Sequence, residues 1–276
     1  MVKKWSCDSC GFSAWSDNCK PLRRKAGPHL FRHASGNVSK SDFRFEWRCP
    51  YCDEAGKAHE RDTAHTNFKQ HLNDHAATDI EQDKHISEEI ARSGNILVNT
   101  PIESIAADNA RVHFVSGSDL AIIITNNPAD RLQLFDRQLG EWPDRTVVVT
   151  TKRRPLDGLP DVDLSETTVE LVELDRGLGP QELGETISRI IDVHYTTGQR
   201  VSVELDILYD IVNSFELQTS YEFIDMLSTR LREANAVTHI YVAPRPQLSS
   251  VLNILDGTID LKLRYDSRVF TSSPQG

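Results

Sequence analysis

Two sets of cysteine and histidine with one spacing, C-x(2)-C-x(18)-H-x(3)-H, lie within the first 75 residues. The second set repeats the first after 42 positions. A CxxC turn can present two thiolates to one ion, and histidines at i and i+4 share one face of a helix. The repeat therefore predicts two zinc modules and two bound Zn²⁺ ions. The predicted ligands are Cys7, Cys10, His29 and His33, then Cys49, Cys52, His71 and His75.

Two other uses of the cysteines have to be compared with this interpretation. Disulfides are disfavoured because the N-terminus shows no apolar secretory segment and Cys19 would be left unpaired. We therefore expect a cytoplasmic protein with reduced thiols. A single zinc ribbon that joins the four CxxC cysteines, with the histidines idle, remains open.

The two modules differ in their helical segments. In the second, Phe68 stands three residues before His71, as in the two-cysteine, two-histidine zinc finger family, which this segment resembles. In the first, Pro28 directly precedes His29, and proline suits a first helical turn, so this helix is predicted to begin near Pro28. Cys19 could then replace a ligand in a short first module.

The resemblance to zinc fingers also raises the question of DNA binding. The base-contacting positions of that family fall on Ala64, Asn67 and Gln70, and we take Asn67, Gln70 and Lys69 as possible nucleic-acid contacts. Against this, both ligand loops hold eighteen residues rather than about twelve, and the linker between the modules is long. DNA binding through residues 1–78 is therefore the alternative, and an adaptor that contacts a protein is preferred.

Charge divides the chain in two. Residues 1–75 carry 13 basic and 9 acidic residues, a net of +4, whereas the remaining 201 carry 18 and 32, a net of −14. An acidic body argues against strong non-specific DNA binding.

Beyond about residue 110, apolar runs alternate with helical patterns. The run LAIIIT (120–125) and five further segments are predicted strands: 146–150, 168–174, 200–206, 237–243 and 259–263. Strands separated by helices predict an α/β domain with a mainly parallel sheet. The expected division is 1–36 and 37–78 for the two modules, 79–117 for a helical linker (with a helix over 80–92), 118–268 for the α/β domain and 269–276 for a disordered tail.

Segments 130–145, 177–184, 201–209, 221–232 and 236–240 resemble an uncharacterised haloarchaeal family with a degenerate RecA/KaiC-like domain. The resemblance implies a RecA-like sheet, and such an ATPase needs a glycine- and lysine-containing phosphate loop after its first strand. The loop Thr125–Asp130, which we assign to that place, has neither residue. Asp206 ends a strand as a Walker-B aspartate would, but a helix cap is the commoner role.

Together these observations predict a zinc-binding, non-enzymatic regulatory or adaptor protein. It is expected to bind a protein partner and not to bind ATP. No membrane association is expected, since no apolar run approaches the length of a membrane helix. The alternatives are a DNA-binding transcription regulator that uses the second finger, and a nucleotide-binding signalling protein.

Overall fold

The computed structural model describes residues 2–157, 159, 162, 164, 167–175, 177, 179–243, 252–253, 255–266 and 268–273. The chain divides into two compact units. The first, the finger unit, comprises Met1–Ile86 and Arg264–Gly276; the second, the sheet unit, comprises Ser87–Leu263.

The finger unit contains two copies of a hairpin followed by a helix. The first copy consists of β1 (Lys3–Ser6), β2 (Ser13–Ser16) and α1 (Cys19–Ala34). After β3 (Val38–Ser41), the second copy consists of β4 (Arg44–Arg48), β5 (Ala55–Ala58) and α2 (Arg61–Thr78). Strands β2 and β5 begin at residues 13 and 55 and so keep the displacement of 42. The sequence repeat is thus also a structural repeat.

Helix α1 begins nine residues before the predicted start, and the prediction from Pro28 was wrong. The side chain of Asn18 caps the helix by accepting from the N–H of Lys20 at 2.9 Å. Pro21, not Pro28, occupies the first turn, where a missing N–H costs nothing. Pro28 lies inside the helix, where it removes one backbone hydrogen bond.

Strands from the far end of the chain extend the first hairpin. Strand β13 (Val269–Ser272) pairs antiparallel with β2, with Phe270 opposite Trp15. The last three residues of β12 (Leu261–Asp266) pair antiparallel with β13 in turn. Residues 269–272, predicted as part of a disordered tail, therefore form a strand, because pairing with β2 satisfies their backbone; residues 274–276 lie outside the described residues.

The sheet unit alternates strands and helices. Its elements are, in chain order, β6 (Gly94–Asn99), α3 (Ile105–Val115), β7 (Leu120–Ile124), α4 (Pro128–Gln138), β8 (Arg145–Thr150), β9 (Val169–Glu173), α5 (Pro180–His194), β10 (Val201–Leu205), α6 (Leu208–Ser214), α7 (Leu217–Glu233) and β11 (Ala236–Val242). Six strands form a parallel sheet in the order β6-β11-β10-β7-β8-β9.

Helices cover both faces of this sheet. Ile122 and Ile124 of β7 pack with α5, α6 and α7, whereas Ala121 and Ile123 pack with α4. Because side chains alternate along a strand, a strand buried on both faces is apolar throughout, as β7 is. The predicted α/β class with a mainly parallel sheet is confirmed.

The helical linker predicted for 79–117 was wrong in part. It contains β6, a strand of the parallel sheet, and residues 80–92 include only a 3₁₀ turn, Ile86–Ile90, instead of a helix. Asn95 and Asn99 interrupt the apolar pattern of β6, and the strand was therefore not predicted from the sequence. Asn95 is buried because its side chain donates to the carbonyl of Thr258 at 2.7 Å. Among the described residues, no helix is both long and apolar enough to span a membrane.

Candidate metal centre

Each pair of cysteines lies in the turn of a hairpin. Cys7 opens the turn between β1 and β2, where its N–H donates to the carbonyl of Phe12 at 2.8 Å. Cys49 opens the equivalent turn between β4 and β5, where its N–H donates to the carbonyl of Glu54, also at 2.8 Å. Each helix then places its histidines opposite its own hairpin.

The first cluster contains all four predicted ligands. The ligand atoms of Cys7, Cys10, His29 and His33 lie within 4.8 Å of one another. The Nε2 atom of His29 lies 3.3 Å from the Sγ atom of Cys10 and 3.2 Å from the Nε2 atom of His33. With Zn–S and Zn–N bonds of about 2.3 and about 2.0 Å, tetrahedral ligand atoms are roughly 3.3–3.8 Å apart. Two sulfurs and two imidazole nitrogens at this spacing fit zinc.

Aromatic side chains enclose the first cluster. The ring of Phe12 stacks on His29 with centroids 4.4 Å apart, and Trp5 meets the same ring edge-on at 5.7 Å. Burial, with the nearby charges of His33 and Arg32, lowers the pKa of His29 to about 4. Its imidazole is therefore neutral at neutral pH, which is the form that binds a metal.

The second cluster contains Cys49, Cys52 and His71. The Sγ atom of Cys52 lies 3.4 Å from the Nε2 atom of His71, and the other ring nitrogen of His71 lies 3.5 Å from the carboxylate of Glu54. A carboxylate behind a ligand histidine orients the ring and raises its basicity. Burial raises the pKa of the Cys49 thiol, as it does for Cys7, so metal binding has to displace these protons.

His75, the fourth predicted ligand of the second module, is absent from the second cluster. Its ring stacks on Tyr51 with centroids 5.6 Å apart, and its Nε2 atom lies 3.7 Å from the carboxylate of Asp79. The rings of His71 and His75 are 6.2 Å apart, compared with 4.9 Å for the first pair of histidines. The first module, with the less regular sequence, is thus the more complete of the two.

Two alternatives from the sequence do not fit these clusters. Each CxxC pair lies beside the histidines of its own module, whereas a ribbon would bring the two pairs together. Cys19 is the first residue of α1 and is outside the first cluster.

The two finger helices pack against each other. The ring of Phe31 on α1 contacts the rings of His65 and Phe68 on α2, with centroids 5.5 and 5.9 Å apart. A Cβ atom on Gly27 would lie 1.6 Å from the Oδ1 atom and 3.3 Å from the Cα atom of Asn73, so the helices approach closely at this glycine. The two fingers therefore share one hydrophobic core instead of forming independent modules.

This packing uses part of the predicted nucleic-acid surface. The Nζ atom of Lys69 lies 4.7 Å from the centre of the Phe31 ring, and Ala64 is fully buried. The side chain of Gln70 donates to the carboxylate of Asp74 at 3.3 Å. Asn67 is exposed. Asn67, Lys69 and Gln70 are thus all exposed, but Lys69 and Gln70 each contact another side chain.

The sheet unit contains a buried ionic network that the sequence analysis missed. The guanidinium of Arg131 lies 2.8 Å from Asp206 and 2.9 Å from Glu204, and Arg111 lies 2.7 Å from Glu204. Thr125 also donates to Asp206 at 2.7 Å. Burial and the charge of Glu204 raise the pKa of Asp206, while Arg131 opposes that rise. Asp206 was the one residue of this network that the sequence analysis had singled out. The arginines lie on helices far apart in the sequence and so form no local pattern.

Comparison with known proteins adds little beyond a family. A model described as "Family of unknown function (DUF7504)" matches residues 93–264. No curated protein matches the chain. A solved structure from Pyrococcus horikoshii OT3, from a structural study of Project ID PH0250, is similar at 11% identity and a TM-score of 0.43. That match covers 64% of this chain and 83% of the other, and it is too distant to support an argument.

Proposed function

Because this chain belongs to a family of unknown function, DUF7504, its role has to be inferred from its own residues, and we propose that it is a non-enzymatic zinc-binding adaptor that contacts a protein partner. The observation that carries the proposal is the packing of α1 on α2 through Phe31 and Phe68. Fingers that read DNA in tandem follow the groove as separate modules. Two fingers joined by a common core instead present one fixed surface, which suits protein recognition.

In this proposal each finger holds one Zn²⁺ ion. Cys7, Cys10, His29 and His33 would hold the first, and Cys49, Cys52 and His71 would supply three ligands to the second. His75 lies one helical turn after His71, so side-chain rotation alone would bring its ring toward the second group. Zinc bound in this way stabilises the folded unit, because the unfolded chain has no preformed site.

The ionic network supports the non-enzymatic part of the proposal. Asp206 follows the end of β10. Its carboxylate is already bound by protein groups, since it lies 2.8 Å from Arg131 and accepts from Thr125 at 2.7 Å. The loop after β7 also offers neither the glycines nor the lysine of a phosphate loop. A RecA-like origin of the sheet unit is compatible with the parallel sheet and remains part of this proposal.

Isolation of partners tests the adaptor role. Tagged full-length protein should co-purify with a protein partner from its source cells, and the Cys10→Ser, Cys52→Ser double variant should lose that partner. Cys19→Ser is the matched control, because it removes a cysteine outside both clusters, and it should retain the partner. Equal recovery with all three proteins would contradict a role for the zinc-bound fingers.

DNA reading is the second candidate, favoured by the exposed side chain of Asn67. Selection from a random duplex pool at high salt should return no enriched motif if the fingers are adaptors, since purely electrostatic binding weakens steeply with salt. An enriched motif that is lost on Asn67→Ala would establish DNA reading instead.

A further inference from the structure

Two cavities lie side by side at the carboxyl end of the parallel sheet, within the sheet unit. The first, of about 340 Å³, is lined mainly by apolar side chains, among them Val149, Leu183, Ile211 and Phe215. The second, of about 360 Å³, is lined by apolar residues such as Ile102 and by polar ones that include the carboxylates of Glu103, Asp206 and Asp210. Asn126 and Asp210 line both cavities and are hydrogen-bonded to each other at 2.8 Å. The two cavities thus form one crevice with an apolar part and an acidic part.

The topology explains why a crevice opens here. After β7 the chain continues to β8 on one side, and after β10 it continues to β11 on the other, although β7 and β10 are neighbours. Connections that leave in opposite directions open a gap beyond the carboxyl ends of the strands, where open α/β sheets bind ligands. Cavities of this size are at the small end of about 300–1,000 Å³ for ligand sites.

Some of the backbone donors at this edge are already used. At the start of α4, the N–H of Asn127 donates to the hydroxyl of Thr125 at 3.0 Å, and Pro128 has no N–H. At the start of α5, the N–H of Gly179 donates to the carboxylate of Glu182 at 2.8 Å. Free N–H groups at helix N-termini are what normally hold a phosphate or carboxylate. These two helix starts therefore have fewer N–H groups available for an anion than uncapped helices without proline would have.

The side-chain charges around the crevice also disfavour an anionic ligand. The charged residues that line the two cavities are all acidic within the part of the chain that the structure describes. Asp206 is neutralised by Arg131 at 2.8 Å, whereas the carboxylate of Asp210 accepts only from the uncharged amide of Asn126 among the contacts of described residues. A cation that reached Asp210 would sit beside the apolar cavity and would keep this amide as a neighbour.

We propose that the crevice binds an amphiphilic cation, an amine or guanidinium whose apolar body fills the first cavity and whose charged head lies at Asp210. The ligand class follows from an apolar cavity of about 340 Å³ joined to a carboxylate that pairs with no cation among the described residues. It goes beyond the adaptor role and does not depend on zinc, because all of its residues belong to the sheet unit.

Calorimetric titration of the full chain with tryptamine and with phenethylamine tests the proposal. Both amines should bind, whereas indole-3-propionate, which carries a carboxylate on a similar apolar body, should not. Asp210→Asn keeps the size of the side chain and should weaken amine binding about tenfold, as expected for a charge-assisted hydrogen bond. Asp225→Asn removes the same charge from the exposed face of α7 and should leave binding unchanged.

A second variant tests the apolar cavity. Ser214→Phe, at the exposed end of α6, should narrow the first cavity with little risk to folding and should also weaken binding of both amines. Thermal unfolding of each variant checks that the sheet unit is intact. No binding of either amine to the unaltered chain, equal binding of the carboxylate, or full binding by Asp210→Asn would each overturn the proposal.

Discussion

His29 and His71 hold equivalent positions in the sequence repeat but lie in different surroundings. The ring of His29 is buried between Phe12 and Trp5, whereas His71 has the carboxylate of Glu54 behind it. Burial, together with the nearby charges of His33 and Arg32, lowers the pKa of His29 to about 4. The same position of the repeat therefore lies in two different environments.

Acid should destabilise the zinc-free finger unit through His29. Its folded-state pKa lies below the ordinary value of 6.5, so between about pH 6.5 and about pH 4 the unfolded chain binds more protons than the folded one. Stability should rise with pH across this window and fall as the pH drops through it. Tryptophan fluorescence of Trp5, Trp15 and Trp47 can follow the transition. His59→Ala, which removes an exposed histidine, should not move it, and a flat signal between pH 7 and pH 4.5 would contradict the argument.

At the scale of elements, helix α1 shows where sequence reasoning succeeds and where it fails. Buried strands such as β7 and β8 follow from continuous apolar runs, which depend only on local sequence. The start of α1 was misplaced because Gly27 and Pro28 resemble a helix boundary, whereas the close approach of Asn73 on α2 explains the glycine. Contacts between distant segments leave no local signal, so β13 and the ionic network were also missed.

Replacement of Gly27 by alanine should loosen the contact between the finger helices. The new methyl group would lie 3.3 Å from the Cα atom of Asn73, which is backbone, besides meeting the Asn73 side chain. Overpacking of this kind costs about 1–3 kcal/mol. Gly36→Ala is the matched control because nothing lies within 4 Å of its Cβ position. Urea unfolding of the zinc-loaded proteins should show a loss for the first change only, and equal stability of both variants would argue against close packing at Gly27.

At the scale of the whole molecule, the two units contain different kinds of polar cluster. The finger unit brings together thiols and imidazoles that could hold a metal ion, whereas the sheet unit encloses Arg111 and Arg131 with two carboxylates. The members of the two Cys/His clusters could be predicted from the spacing of the sequence repeat, whereas His75 was predicted and lies outside the second cluster. The ionic network could not be predicted, since Arg131 on α4 and Glu204 on β10 meet only after the sheet has formed.

Removal of Arg131 should destabilise the sheet unit strongly. Arg131→Met leaves Glu204 and Asp206 buried with one cation fewer, and breaking a buried pair in this way costs about 3–5 kcal/mol. Arg137→Met, on the exposed face of the same helix, should change stability little. Thermal unfolding followed by circular dichroism compares the two, and a similar melting temperature for both would show that the network contributes no stability.

The central claim is that each of the two packed fingers holds its own zinc ion. Native mass spectrometry of the full chain measures this directly. The account predicts two Zn²⁺ ions per chain, one lost in Cys10→Ser, the other lost in Cys52→Ser, and both kept in Cys19→Ser. A single zinc ion that is lost when either CxxC pair is changed, or a chain that binds none, would contradict it.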